Sequence, residues 1–352
     1  MGAPGACQAL LASLPIKLVT SSTATSSTGH ERAKPYRGAA PGSIRGGRES
    51  IVRVFVAGGS GTIGVPLVTA LIKAGHQVTA LSRSSDKHKM LRMLGAEPVV
   101  SDALDATTLR KVVEAARPTH VIHQLTALPK DGVRRGRDLA ATNRLRIVGT
   151  RNLLDAAIAA GVSRFIAGSF ALMHGVDAHA PTSLRAAAAA VESMEAQILE
   201  ASRSRTVEGV VLRYGLLYGP GNPATVKLIE MIRKRRLPVI HSDRSLLSWI
   251  HVTDAVSATL AALDSGASGS VYNVVDNCPV SISNMVRVLA MYAGAKRPFV
   301  VPAWLPRLIT PFTASMMSIR LPVSNRKIRT ELGWRPAFPS WRDGFALIAQ
   351  RP

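Results

Sequence analysis

IVRVFVAGGSGTIG, residues 51–64, decides the fold of this chain. Its first seven residues form a short apolar run, which predicts a buried strand over Ile51–Ala57. Glycines follow at positions 58, 61 and 64, and apolar residues with helical spacing extend over Thr62–Ala74. A strand, a glycine-rich turn and a helix in this order predict the first βα unit of a parallel sheet.

The same alternation continues along the chain. Further strands are predicted over Gln77–Leu81, Pro98–Val100, His120–Leu125, Arg164–Ala167, Val207–Arg213 and Val271–Val275. Helical spacing is found over Ser85–Leu94, Ala106–Ala116, Asp138–Ala160, Leu184–Ser202, Ala224–Arg235, Val252–Leu263 and Ser283–Tyr292. Strands that alternate with helices predict an α/β fold, a Rossmann-type doubly wound parallel sheet. After Tyr214 the alternation of strands and helices becomes less regular and prolines become frequent. Residues 51–352 are therefore predicted to carry a small C-terminal substrate lobe, mainly from 215–352.

Residues 1–50 differ in composition from the rest of the chain. They are rich in Ser, Thr, Gly, Pro and Ala, contain arginines, and have almost no acidic residues. This composition is typical of an organelle transit peptide, and equally of a disordered tail or a start assigned too early. The two cysteines, Cys7 and Cys278, lie too far apart to indicate a disulfide framework or a metal site. A cytoplasmic location is expected, or a plastid or mitochondrion if residues 1–50 are a transit peptide.

The net charge of +22 raises the question of a nucleic-acid partner. The basic residues are dispersed, however, and few aromatic residues accompany them to stack on bases. The densest clusters, at 134–137 and 233–236, indicate a solvated surface or the attraction of an anionic cofactor or substrate. We therefore expect a small-molecule substrate and no specific nucleic acid. No apolar run reaches the roughly 18 residues of a membrane helix, and a homodimer is left open.

The glycine-rich turn predicts a binding site for the pyrophosphate of a dinucleotide. Gly58 permits the tight turn, Gly61 lets the backbone approach the phosphates, and Gly64 lets the helix pack closely on the strand. Ser60, Thr62 and Ile63 complete the turn, where free N–H groups at the start of the helix face the anion.

The end of the second strand favours NADP(H) over NAD(H). An NAD site usually has an acidic residue there to bind the ribose diol, but no carboxylate occurs before Asp86. Arg83 would instead offer its guanidinium to a 2′-phosphate, with Ser82 and Ser84 as neutral donors; the alternative is a solvated arginine at a helix start. Asp102 is placed to contact the adenine, although it or Asp105 could equally cap a helix.

Several further motifs resemble the extended short-chain dehydrogenase/reductases, the NAD(P)-dependent epimerase/dehydratase family. These motifs are the residues around the glycine turn, VIHQLTA at 121–127, Asn143 with GTRNLLDA at 149–156, LRYGLLYGPG at 212–221, WIHVTDA at 249–255 and LGWRP at 332–336. The resemblance places Leu125 and Thr126 in the cofactor site. It implies hydride chemistry on a small carbonyl, alcohol or sugar-like substrate.

The resemblance also implies a catalytic serine, and a tyrosine followed four residues later by a lysine. Ser169 matches the serine. If Glu195 occupies the glutamate position of the family, Ala187 and Val191 occupy the tyrosine and lysine positions, and neither can transfer a proton. The only Tyr-x-x-x-Lys string, Tyr292 to Lys296, lies in the C-terminal part and is taken as chance.

Three other residues are therefore candidates for the catalytic groups: Ser169, His174 and Tyr214. A histidine side chain titrates in the range useful for acid/base catalysis, although His174 could simply be a loop residue bonded to the backbone. Ser169 could bind cofactor or substrate without transferring a proton. The alternative to an enzyme is a non-catalytic NADP(H)-binding protein that senses redox state or supports a complex. The apolar segment 302–323, which includes Trp304, Leu305, Phe312, Met316 and Met317, is predicted to line or cover the pocket.

Overall fold

The computed structural model describes residues 51–129, 132–133 and 135–349, so the extension 1–50 and Arg134 lie outside the described residues. The described residues from 51 to 349 belong to one compact unit. The strands, in chain order from β1 to β11, are Arg53–Ala57, Gln77–Ser82, Glu97–Val100, His120–His123, Arg164–Phe170, Glu208–Tyr214, Leu216–Tyr218, Val239–Ile240, Trp249–His251, Ser270–Val274 and Val300–Val301. The α-helices, in chain order from α1 to α13, are Gly64–Lys73, His88–Met93, Ala106–Ala116, Ala140–Arg144, Thr150–Ala159, Thr182–Arg203, Pro223–Arg233, Val252–Ser265, Ile282–Tyr292, Trp304–Ile309, Pro311–Met317, Arg326–Glu331 and Trp341–Ala349.

A seven-stranded parallel sheet forms the centre of the unit. Its strand order is β10-β6-β5-β4-β1-β2-β3, and every pairing within it is parallel. The chain runs outward from β1 in one direction through β2 and β3 and then returns to add β4 on the other side of β1. The carboxyl ends of all the strands meet at one edge, with the crevice between β1 and β4 at the point where the order reverses. The predicted Rossmann-type fold is confirmed.

Side chains of alternate strand residues pack on opposite faces of the sheet, as the two-residue period of a strand requires. On one face Val54 and Val56 pack with Leu67 of α1 and Ala258 of α8. On the other face Phe55 packs with residues of α3, α5 and α6. Full burial of each such aliphatic side chain contributes roughly 1.5–3 kcal/mol, so both helical layers are held firmly on the sheet.

The helix predicted over Asp138–Ala160 is interrupted. A short 3₁₀ turn over Gly136–Leu139 precedes α4, and a π-helical turn over Leu145–Gly149 separates α4 from α5. The Thr150 amide donates to the carbonyl of Leu145, five residues earlier. The apolar spacing could not reveal this turn, because one wide turn shifts the helical stripe by only a single residue. The predicted fourth strand is also shorter than expected and ends at His123 rather than Leu125.

The C-terminal part builds a second hydrophobic cluster beside the sheet. Two small parallel pairs, β7 with β9 and β8 with β11, contribute to it, and its centre contains Tyr218, Trp249, Trp341 and Phe345. The segment is interleaved with the main unit, since β10 joins the edge of the large sheet. None of the helices described within residues 51–349 combines the length and apolar character needed to cross a bilayer.

Candidate active site

The glycine turn after β1 is packed too closely against the backbone to accept side chains at two of its positions. Gly58 has a φ of +96°, and a Cβ at this position would lie 2.7 Å from the carbonyl oxygen of Gln124. A Cβ on Gly64 would lie 2.0 Å from the carbonyl oxygen of Gly58. Positions 58 and 64 therefore require glycine for conformation and for close packing, respectively.

The start of α1 carries no side chain that competes with an anion. Its N-cap residue, Ile63, makes no side-chain capping bond, and its first turn contains no acidic residue. Gly61 and Thr62 of the turn are exposed and Ser60 is half-buried. Unsatisfied N–H groups and the helix dipole at this end suit the diphosphate of a dinucleotide. The residues of the turn thus fit the cofactor that the sequence predicts.

Arg83 lies at the carboxyl end of β2, exposed to solvent. The two neutral donors expected beside it make local contacts. The Ser82 hydroxyl donates to the carbonyl of Ser84 at 2.8 Å, and the Ser84 hydroxyl accepts from the amide of Asp86 at 3.2 Å. The proton of Ser82 is thus used within the loop, whereas Arg83 and the Ser84 hydroxyl are exposed, and Arg83 remains the charged candidate for a 2′-phosphate.

The loops after β3 and β4 flank the turn. A carboxylate oxygen of Asp102 accepts from the amide of Leu104 at 2.9 Å, whereas Asp105 caps α3 through the amide of Thr108 at 3.1 Å. The cap is thus formed by Asp105, whereas Asp102 bonds its own loop at the carboxyl end of β3, the edge strand of the sheet. Leu125 is half-buried and Thr126 is exposed next to the Gly58 turn.

A charged network lies at the carboxyl ends of β5 and β6. Ser169 and Arg213 are paired in register on these neighbouring strands, so their side chains leave the same face of the sheet. Both reach Glu195 of α6, which packs on that face. The Ser169 hydroxyl donates to Oε1 at 2.5 Å, and the Arg213 guanidinium donates to Oε1 at 3.0 Å and to Oε2 at 2.5 Å.

His174 joins the same carboxylate from the 3₁₀ turn that follows β5. Its Nε2 lies 3.0 Å from Oε1 of Glu195. Burial alone would raise the pKa of Glu195, but the hydrogen bonds from His174, Arg213 and Ser169 outweigh it and lower the pKa to about 2. Glu195 is therefore ionised at neutral pH and can only accept hydrogen bonds from its partners.

The hydroxyl of Ser169 is placed differently from our expectation. The sequence named Ser169 as a candidate catalytic group, which would require its hydroxyl to be available to a ligand. Its one proton is instead directed to Glu195, and the residue is buried. In this arrangement Ser169 can order the carboxylate and accept a hydrogen bond, but it cannot donate to a substrate as well.

Tyr214, another predicted proton donor, is enclosed on the opposite face of the sheet. Its hydroxyl lies 2.7 Å from Oγ1 of Thr259, which itself donates to the carbonyl of Ala255, so the tyrosine proton is directed to Thr259. The side-chain amide of Gln124 donates to the same hydroxyl at 3.0 Å. Burial raises the pKa of Tyr214 to about 12. Its assignment as a proton donor to the substrate is therefore wrong on geometry, because side chains alternate along β6 and its neighbour Arg213 takes the other face.

The positions expected for a tyrosine and a lysine are packed with apolar groups. Ala187 and Val191 are fully buried in a cluster with Met173, the residue before His174. Phe312 and Met316 of α11 pack against this cluster. Part of segment 302–323 therefore packs beside the charged network, although Trp304 is 62% exposed and the side chain of Met317 lies outside the described residues; that the segment covers a substrate pocket stays a prediction.

Two members of the network, Glu195 and Arg213, were not predicted as site residues. A signal for Arg213 was present in the sequence: an arginine within an otherwise apolar strand next to a crevice needs a buried partner. The partner itself could not be read locally, since Glu195 is separated from Ser169 by 26 residues and from Arg213 by 18.

Comparisons with known proteins identify the family of the chain. The NAD dependent epimerase/dehydratase family matches residues 54–275. A 3-diazoavenalumate denitrifying reductase of Streptomyces sp. is 38% identical over 306 residues, which cover 83% of this chain and 99% of that protein. A 4-hydroxy-2-methyl-3-oxo-4-farnesyl-3,4-dihydroquinoline-1-oxide ketoreductase of Stigmatella aurantiaca is 29% identical over 255 residues, 70% of this chain and 74% of that protein.

Solved structures share the fold at lower identity. The UDP-glucose 4-epimerase of Thermus thermophilus, in complex with NAD, superimposes with a TM-score of 0.67 at 24% identity, covering 84% of this chain and 97% of that one. The family match spans the glycine turn, the charged network and the sheet up to β10. The chain therefore belongs to the NAD-dependent epimerase/dehydratase family and is an NAD(P)-dependent enzyme of the oxidoreductase or epimerase/dehydratase type.

Proposed function

We propose that this chain is an NADP(H)-dependent reductase in which His174 supplies the proton that accompanies hydride transfer. The observation that carries the proposal is the contact between His174 and the buried, ionised Glu195, 3.0 Å apart at the carboxyl edge of the sheet. The alternative donors are unsuited: Tyr214 is enclosed, and Ala187 and Val191 have no proton to exchange.

The carboxylate determines which nitrogen of His174 can react. Because ionised Glu195 only accepts, His174 Nε2 carries a proton and donates it to Oε1. Nδ1 is then the nitrogen that remains available to a ligand. In the imidazolium form, Nδ1–H donates its proton to the developing alkoxide, and the neutral ring that remains keeps its bond to Glu195.

The other members of the network act by holding this pair in place. Arg213 and Ser169 supply the remaining hydrogen bonds of Glu195, so the carboxylate has one orientation and cannot rotate away from the imidazole. A nicotinamide bound beside the glycine turn would supply the hydride for the carbonyl carbon, and His174 would donate the proton to the carbonyl oxygen. The reaction balances as a carbonyl, one hydride and one proton to an alcohol.

The relatives support a reductase rather than a sugar-nucleotide epimerase. The two relatives described above are both named as reductases, one for a farnesylated dihydroquinoline oxide and one for 3-diazoavenalumate. The apolar cover formed by Phe312 and Met316 on the cluster beside His174 suits a substrate with a hydrophobic or aromatic body. We extend this to an apolar substrate with a carbonyl or another hydride-accepting group.

The preference for NADP(H) rests on Arg83. No carboxylate lies at the carboxyl end of β2 to bind a ribose diol, and the guanidinium there is exposed. A guanidinium offers paired donors to a phosphate and has no corresponding partner in NAD(H).

The test compares His174→Gln with Tyr214→Phe. Oxidation of NADPH is followed with a panel containing 3-diazoavenalumate, an apolar β-keto acid and an aromatic ketone, with UDP-glucose epimerisation assayed in parallel. Loss of a proton donor is expected to lower kcat on the ketone substrates by roughly a hundredfold or more, as for other single groups that stabilise a developing oxyanion. Tyr214→Phe should retain turnover, since its hydroxyl does not reach the crevice.

Two results would contradict the proposal. Full turnover in His174→Gln with a loss in Tyr214→Phe would place the proton donor on the other face of the sheet. Epimerisation of UDP-glucose without net NADPH oxidation by any panel member would show an epimerase rather than a reductase.

A further inference from the structure

Arg146 is a buried cation that the chemistry above does not use. It lies within the π-helical turn between α4 and α5, and only 8% of it is exposed. Among the residues that the structure describes, no hydrogen bond or ion pair to its guanidinium is found. An arginine is rarely so buried unless it is paired, because removal of a charge from water is costly.

The side chain faces the crevice, as its neighbours on the helix show. Thr142 stands one α-helical turn before Arg146 on the same stripe, and Thr150 follows Arg146 across the π-helical turn. The hydroxyl of Thr142 accepts from the amide of Ala127 at 2.9 Å, and that of Thr150 lies 2.9 Å from Nε2 of His123. Both contacts are made with the carboxyl end of β4 and the loop that follows it. Arg146 lies between these two threonines in the chain, and its positive charge is close enough to His123, the last residue of β4, to help lower the pKa of that ring.

No negative group at this strand end, within the part of the chain that the structure describes, neutralises Arg146. His123 is fixed as a neutral ring: its Nδ1 accepts from the amide of Leu125 at 3.2 Å, so Nε2 carries the proton and donates to Thr150. Burial, and to a smaller extent the positive charge of Arg146, lowers the pKa of His123 to about 4. Burial also lowers the pKa of Arg146 to about 10, and no described acidic side chain offsets this effect.

The local backbone is unusual at the same point. The turn Leu145–Gly149 is π-helical, and such turns occur frequently at functional sites. Gly149 packs beside the loop after β3, where a Cβ added to it would meet Ala103 at van der Waals distance.

We infer that Arg146 is an anion-binding residue of the crevice, and that its guanidinium receives an oxyanion of a bound ligand. The oxyanion has two sources with the same chemistry: a phosphate of the dinucleotide, or a carboxylate carried by the substrate. A guanidinium binds either group with two parallel N–H···O bonds. The ligand would supply the negative charge that offsets this guanidinium.

The experiment uses the full chain with Arg146→Met, Arg146→Lys and the control Arg144→Met, an exposed arginine at the end of α4. Binding of NADPH and ADP-ribose is measured by calorimetry, and binding of cinnamate, an aromatic carboxylate, is measured with saturating NADP⁺. Urea unfolding of each ligand-free protein is measured in parallel. None of these readouts requires turnover, so they are independent of the role of His174.

We expect Arg146→Met to lower affinity for one class of anion by about ten- to a hundredfold, as for a charge-assisted hydrogen bond. A loss for NADPH and ADP-ribose identifies the dinucleotide as the source, and a loss for cinnamate alone identifies the substrate. Arg146→Lys, which keeps the charge, should bind more tightly than Arg146→Met. The ligand-free Arg146→Met protein should unfold at the same or a higher urea concentration than the parent, since an unpaired buried charge has been removed.

Three outcomes would overturn the inference. The first is parent-like affinity of Arg146→Met for the dinucleotides together with unchanged or undetectable binding of cinnamate. The second is an equal loss in Arg144→Met. The third is a large loss of stability in ligand-free Arg146→Met, which would show that the guanidinium has a structural partner.

Discussion

Replacement of Glu195 by glutamine tests the charged network directly. Glutamine keeps the shape of the side chain but removes the charge that His174, Arg213 and Ser169 share. Glu192→Gln is the matched control, because Glu192 lies one turn earlier on α6 and is exposed. Urea unfolding can be followed by the fluorescence of the buried tryptophans Trp249, Trp334 and Trp341 in both variants and the parent.

The expected loss of stability in Glu195→Gln follows from the pKa of Glu195. The hydrogen bonds lower it from an ordinary 4.5 to about 2, and each unit corresponds to about 1.4 kcal/mol. The charged network therefore stabilises the folded state by on the order of 3 kcal/mol at neutral pH. Glu195→Gln should lower the free energy of unfolding by about this amount, whereas Glu192→Gln should change it by less than about 0.5 kcal/mol.

The pKa of Glu195 also determines in which direction the stability changes with pH. Because the pKa in the folded state is below that in the unfolded state, the stabilisation is fully present above about pH 4.5 and is lost as the pH falls toward 2. The parent should therefore be more stable than Glu195→Gln above about pH 4.5, and the difference should narrow below about pH 4.5. An equal stability of the two proteins at about pH 7, or a difference that stays unchanged down to about pH 3, would refute the reasoning.

Three further predictions concern the cofactor site and the N-terminal extension. Arg83→Ala should weaken NADPH binding by about ten- to a hundredfold and leave NADH binding nearly unchanged, whereas the control Lys87→Ala, at an exposed position, should bind both cofactors like the parent. If calorimetry gives the parent equal affinities for NADPH and NADH, Arg83 does not bind a 2′-phosphate. Gly64→Ala should abolish measurable dinucleotide binding and lower the melting temperature, since its Cβ would lie 2.0 Å from the Gly58 carbonyl oxygen. A dinucleotide affinity equal to that of the parent, measured by calorimetry, would contradict this. A protein that starts at Glu49 should keep the melting temperature and cofactor affinity of the full chain, because residues 1–50 have a composition that cannot form a hydrophobic core; a large drop in either would show the opposite.

The sequence by itself was sufficient to predict the βα alternation, the position of the glycine turn and the parallel sheet. These features depend on local patterns: apolar runs of strand length, helical spacing, and glycines at fixed positions between β1 and α1. The helix over Ala106–Ala116 agrees with its predicted bounds residue by residue, because Asp105 caps it and the apolar stripe is regular. Such patterns are read within a few residues, so no tertiary contact is needed to recognise them.

Only the tertiary structure decided how the polar residues of the site are used. The register of β5 with β6 places Ser169 beside Arg213, and the packing of α6 brings Glu195 to both. The same alternation along β6 directs Tyr214 to the other face. The sequence could name these side chains as candidates, but it could not specify which face each one takes or which partner receives its proton.

The π-helical turn at Arg146 is another feature that the tertiary structure shows and the sequence pattern does not. A single wide turn leaves almost no trace in the spacing of apolar residues, yet it sets where a buried guanidinium lies relative to the end of β4. Secondary structure depends on short-range periodicity and is therefore encoded locally, whereas the pairing and burial of charges depend on residues far apart in the chain. For this protein the sequence determined the family fold and the cofactor turn, and the packing of α4, α5 and α6 on the sheet determined the chemistry available beside them.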